Sequence, residues 1–186
     1  MRALKPCNVL EVGTHIGAST LFIARALKEN RNTARVSTVD VIDVNDPVNG
    51  PWKQIGLPMA PKDLATQIAC LSLISFHATP SLDFLKDTKD TFDFVFLDGD
   101  HRPHTVYREV GAALEKLAPG GVILLHDYYP DAKPLYPDNN VIAGPFRALA
   151  RIVRENPEIA VLPLGKLPWP TKQGVNRTSL ALITRA

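Results

Sequence analysis

Carboxylates and imidazoles gather where short apolar runs end in this sequence. Asp98, Asp100, His101 and His104 follow Phe92-Asp-Phe-Val-Phe-Leu97, and His126 and Asp127 follow Val122-Ile-Leu-Leu125. If the two runs are neighbouring strands, about 4.8 Å apart, Asp98 and Asp127 open into one crevice at the carboxyl edge of a sheet. Oxygen and imidazole donors converging there suit a divalent metal held by Asp98, His126 and Asp127, with magnesium favoured where oxygens dominate. The same edge suits proton transfer. His101 is the first choice of catalytic base, because an unperturbed imidazole titrates near working pH, and His104 is the fallback. The structural alternatives are that Asp98 caps the next turn and that His126 simply packs.

A second group surrounds a glycine turn, Glu11-Val-Gly13-Thr14-His15-Ile-Gly17-Ala-Ser19. Glycines between a strand and a helix let the backbone turn sharply and approach a ligand, and the helix start offers free N–H groups. A dinucleotide fingerprint needs a middle glycine where this chain has His15, so that a pyrophosphate can rest on the backbone. Glu11 would also repel a pyrophosphate, whereas it suits a ligand that carries an ammonium group. Asp40, 23 positions beyond Gly17 and at the end of the next run, is placed to accept hydrogen bonds from ribose hydroxyls. A nucleoside with a positively charged tail fits all of this, and S-adenosylmethionine is such a molecule. Glu11, Gly13, Thr14, Gly17, Ser19, Asp40 and Asp98 are the residues expected to hold it. A nicotinamide dehydrogenase is disfavoured by His15.

The elements that must position these groups alternate. Strands are expected at 8–12, 36–42, 73–77, 92–97 and 122–125, with helices near 18–29, 62–71, 81–87, 103–117 and 145–155 between and after them. In 103–117, Val106, Val110, Ala113, Leu114 and Leu117 fall on one helical face. That alternation predicts an α/β fold: a doubly wound, Rossmann-like and mostly parallel sheet in one domain. The last two runs, 159–162 and 180–183, have no helix between them and predict an antiparallel C-terminal strand. Prolines concentrate at 47–61, 130–145 and 157–170 and mark loops, with Trp52 and Trp169 inside two of them. Tyr128-Tyr129-Pro130 is expected to overhang the crevice and touch substrate. The spacing of Arg147, Arg151 and Arg154 marks a solvated helix face, and His77 reads as structural.

Glu-x-Gly-x-x-x-Gly-x-Ser followed by Asp40 resembles motif one and the acidic motif of class I S-adenosylmethionine-dependent methyltransferases. Phe92-Asp-Phe-Val-Phe-Leu-Asp-Gly-Asp-His101 and Pro119-Gly-Gly-Val-Ile-Leu-Leu-His-Asp127 are similar to the subfamily that includes metal-dependent tailoring O-methyltransferases of macrolide and sugar substrates. The resemblance spans residues 8 to 184. It implies that Thr79 and Ser81, in the loop after strand three, contact the adenine. It also implies metal at the strand-four aspartate and at an acidic pair ending strand five, with a histidine three residues beyond the first aspartate. This chain departs by having His126-Asp127 in place of the acidic pair and Tyr128 in place of a further oxygen ligand, which admits manganese or zinc beside magnesium. Relatives carry helices before motif one that cover the site, but seven residues precede the first run here. Cover is therefore expected from 44–61, from 128–141, or from a second copy in a homodimer.

The expected reaction is O-methylation of a small-molecule hydroxyl. The rivals are a metal-free N- or O-methyltransferase, whose activity survives chelation, and a cofactor-binding module without catalysis. A net charge of +2, with no basic run, argues against nucleic acid as the main partner. No run is long and apolar enough for a membrane span. Two cysteines, Cys7 and Cys70, are too few for a disulfide framework and read as buried thiols of a reducing cytoplasm.

Overall fold

Parallel strands form where the chain is densest in β-branched and aromatic residues, and a computed structural model describes them for residues 1–30 and 33–185. They are β1 (Asn8–Val12), β2 (Arg35–Asp40), β3 (Ile74–Ala78), β4 (Phe92–Leu97) and β5 (Leu117–Leu125). Two more follow, β6 (Ile159–Pro163) and β7 (Ala181–Arg185). The helices are α1 (Ala18–Asn30), α2 (Pro51–Gln54), α3 (Pro61–Gln67), α4 (Ser81–Asp87), α5 (Pro103–Glu115) and α6 (Gly144–Glu155). The sheet order is β3-β2-β1-β4-β5-β7-β6. The first five strands run parallel, and β7 is antiparallel to both β5 and β6. The fold is the α/β, Rossmann-like one expected, with its antiparallel C-terminal strand.

Alternation along each strand divides the core into two layers. Leu10, Val12, Val95 and Ile123 pack with Val106 and Val110 of α5 and with Leu149 and Ile152 of α6. Val9, Val36, Phe94 and Phe96 pack with Ile23 and Leu27 of α1 and Ala65 of α3. Glu11, one step from Leu10, therefore points at α1, toward Thr20.

Several boundaries differ from expectation. α3 stops at Gln67 because Ala69 turns left-handed (φ 51°), and a 3-10 turn at Leu71–Leu73 leads into β3. β5 begins at Leu117, and the Pro119-Gly120-Gly121 segment lies inside it beside a register shift against Phe92 and Phe94. Trp52 is not a loop residue but is buried in α2, while Trp169 is exposed. Of the two cysteines only Cys70 is buried; Cys7, at the entry to the first edge of β1, is exposed.

The sheet ladder continues one step beyond the strand ends. The N–H groups of Gly13, Asp98 and His126 donate to the carbonyls of Val39, Val12 and Leu97, each at 2.9 Å. The residues singled out above thus leave the sheet in register.

Candidate active site

A cavity of about 800 Å³ opens at the carboxyl ends of β1, β2 and β4. Gly13, Thr14, Ser19, Asp40, Ser81 and Asp98 all line it. Gly13 has φ 94°, and a Cβ there would be driven into the carbonyl of Asp98, so only glycine allows β1 and β4 to splay around the opening. Gly17 does not line the cavity; it packs against Pro61. Thr14 shows the cavity its backbone, because its hydroxyl is hydrogen-bonded to Thr38 at 2.6 Å. Asp40 accepts the His15 N–H at 2.9 Å through Oδ2, which fixes the loop and leaves carboxylate lone pairs toward the cavity.

Glu11 lies beneath this loop, fully buried and outside the cavity lining. Thr20 and Thr38 donate to its Oε2, and Oε1 has no hydrogen-bond partner. Burial pushes its carboxyl up, against the hydroxyl hydrogen bonds that pull it down. Its chemistry is to tie β1, β2 and α1 together under the ligand loop.

Asp98, His101 and Asp127 converge, with one donor atom from each within 4.8 Å of the others. His101 Nε2 is 3.4 Å from Asp127 Oδ2. Gly144 makes that approach possible: a Cβ there would overlap the His101 carbonyl, so the start of α6 rests directly on the His101 loop. His126 Nδ1 is buried 3.1 Å from Asp98 Oδ1 and 3.3 Å from Asp127 Oδ1, aligned for a regular hydrogen bond with neither. Burial opposes charge on this imidazole, but the two carboxylates outweigh it and push His126 up to about 9. Burial would also raise Asp127, yet His126, His101 and Lys172 hold it below the ordinary carboxylate range. Asp127 takes φ 51°, a left-handed backbone that Asp tolerates better than most residues. The two carboxylates and the His101 imidazole form a mixed oxygen and nitrogen donor set that fits a divalent cation, whereas a protonated His126 has no lone pair to offer one.

Other expected residues lie elsewhere. Capping of the turn into α5 falls to Asp100, which accepts from the Arg102 N–H and side chain and from Thr105. The Arg102 guanidinium holds it far below the usual range. Thr79 does not line the large cavity; its N–H donates to the Asp40 carbonyl. Tyr128 and Tyr129 do not overhang the crevice but are buried, against Phe146 and Tyr136 respectively. His104 is exposed on α5, His77 packs on Phe84 with ring centroids 4.8 Å apart, and Arg147, Arg151 and Arg154 are exposed. Glu109, absent from the expectations, is buried and lines the cavity. Its signal was present: it interrupts the apolar stripe of α5 three residues after Val106.

Residues 10–128 match the family described as a methyltransferase domain. The chain belongs to that family. Among curated methyltransferases it is similar to a catechol O-methyltransferase of Niastella koreensis, 30% identical over 128 residues, 69% of this chain and 52% of that protein. The chain thus spans about half the length of this relative. Among solved structures, the O-methyltransferase TomG of Streptomyces achromogenes, involved in tomaymycin synthesis and in complex with S-adenosylmethionine, superposes with TM-score 0.69 at 19% identity, covering 100% of this chain and 75% of that one. An O-methyltransferase of Bacillus cereus in complex with S-adenosylhomocysteine gives 0.67 at 19% identity, with 99% and 76% covered. At these identities the likeness to the solved methyltransferases is one of fold.

Proposed function

We propose that this methyltransferase-domain chain transfers a methyl group from S-adenosylmethionine to a hydroxyl of a small molecule, assisted by a divalent cation. The observation that carries this is the juxtaposition of the Gly13–Asp40 cavity with the Asp98, His101 and Asp127 cluster along one sheet edge. The catechol O-methyltransferase relative supports the hydroxyl acceptor.

The loop from Gly13 to Ser19 receives the amino-acid tail of the cofactor, and Asp40 accepts from the ribose hydroxyls. Asp98 and Asp127 would hold the cation, which when bound would lower the pKa of the acceptor hydroxyl and orient its oxygen. His101 takes the hydroxyl proton, the oxygen attacks the methyl carbon in line, and the carbon–sulfur bond breaks to leave S-adenosylhomocysteine. Most of the rate comes from positioning and from charge placed at the reacting oxygen. A metal-free route has one observation in its favour: the His126 ring lies 3.1 Å from Asp98 and 3.3 Å from Asp127, where a protonated imidazole would offset part of the carboxylate charge.

Calorimetric titration with S-adenosylmethionine and S-adenosylhomocysteine tests the cofactor, and binding of neither would sink the proposal. Methyl transfer to a panel of catechols and sugar hydroxyls, with and without a chelator, tests the rest. Activity that persists after chelation removes the cation and leaves the metal-free route.

A further inference from the structure

The steps above leave Glu109, an ionisable group of the cavity wall, without a task. Glu109 is 4% exposed, yet it lines the cavity beside Ser81, Leu82 and Val41. Ser81 Oγ donates to its Oε1 at 2.5 Å, which fixes the carboxylate plane against the loop after β3. The second oxygen, Oε2, receives no hydrogen bond from any described residue. Burial pushes the carboxyl up, and the Ser81 hydrogen bond only partly offsets it. A buried acceptor that faces a cavity with an open lone pair costs free energy until a donor arrives.

The cavity's shape says which donor. With the amino-acid tail at Gly13–Ser19 and the ribose at Asp40, the lining that remains is Val41, Pro80 and Leu82 with Ser81 and Glu109, and the polar residues Asp100, Arg102 and Thr105 about the His101 loop, where Asp100 is already engaged by the other two. A flat heteroaromatic ring that carries an amino group on its rim fits the first part of that lining. We infer that Glu109, held by Ser81, accepts a hydrogen bond from the exocyclic amino group of the cofactor's adenine and sets the selectivity for that base. This rests on the cofactor reading above. A 6-oxo base would instead set a carbonyl oxygen against a carboxylate, two acceptors without a proton between them.

The test is calorimetric titration of the whole chain with S-adenosylhomocysteine and with its 6-oxo counterpart, S-inosylhomocysteine. The wild type binds the adenine ligand roughly 100-fold tighter or more, as sites built around a hydrogen-bonding substrate group do. Glu109→Gln, whose amide can donate to a 6-oxo group, shrinks that ratio at least about tenfold, with the 6-oxo ligand gaining. Glu109→Asp withdraws the carboxylate by one methylene and lowers the ratio through weaker adenine binding alone; it serves if the Gln variant fails to fold by circular dichroism. An unchanged ratio in these variants, or a wild type that does not discriminate, overturns the inference while leaving the cofactor reading intact. A wild type that binds neither nucleoside removes both.

Discussion

At the scale of single residues, His126 and His101 have opposite proposed duties although both lie beside Asp127. The Asp98 and Asp127 carboxylates favour the protonated form of His126, which has no lone pair with which to take a proton, and this leaves His101 as the proposed base. An imidazole whose ordinary value is 6.5 and which reaches about 9 in the fold is stabilised in its protonated form by folding. Its contribution is full below 6.5 and is lost as pH rises through about 9. With 35% of the side chain open to water, screening leaves roughly 1–2 kcal/mol. The melting temperature of chelator-treated protein should therefore fall between pH 6.5 and 9, and His126→Asn should flatten that slope; parallel profiles would show that the imidazolium does not bind the carboxylates. His101→Ala is expected to lower kcat by about 10²–10⁴ with little change in S-adenosylhomocysteine affinity, the size of a lost general base. If steady-state assays instead show kcat intact, the base lies elsewhere. Because Asp127 holds a left-handed backbone, Asp127→Asn is the substitution that removes charge without disturbing shape.

At the scale of elements, α6 acts on the site without lining it. Its first residue, Gly144, presses on the His101 carbonyl, and its last turn is pinned to α5 by the Tyr107 hydroxyl donating to Glu155 at 2.7 Å and by Arg151 over the Tyr107 ring. Gly144→Val should displace the His101 loop, lowering kcat at least about tenfold while cofactor affinity stays within about twofold, since displacements near 1 Å suffice to cost such factors. Equal losses in both would mean that the whole edge had collapsed. Elements of this kind were legible in the sequence, because apolar runs and glycine turns are local signals. Asp98 and Asp127 could be paired because both end strands of one sheet. The position of Glu11 under the loop was not legible: strand alternation turns it toward α1, and Thr20 and Thr38, nine and 27 positions away, engage one of its oxygens. Thr79 and the two tyrosines were misplaced for the same reason, since which side of a turn a side chain takes depends on packing from distant segments.

At the scale of the molecule, two cores share one sheet. Leu27 and Leu149 are each 1% exposed and belong to opposite layers. Leu27→Ala and Leu149→Ala should each cost about 2–5 kcal/mol, the range for buried leucine truncations. Urea denaturation should show one transition in both variants, because the strands that separate the layers are common to them. A second transition in either would mean that the layers melt apart. No helix among the described residues is long and apolar enough to cross a membrane.

The placing of β7 bears on how the chain is made. Among the described residues β6 pairs with β7 alone, and β7 joins it to β5. A ribosome delivers β6 about twenty residues before β7, so during synthesis β6 has nothing to pair with and β5 stands as a bare edge. For that interval the nascent chain offers two unpaired strands to any neighbour, and β7, emerging after both, closes both.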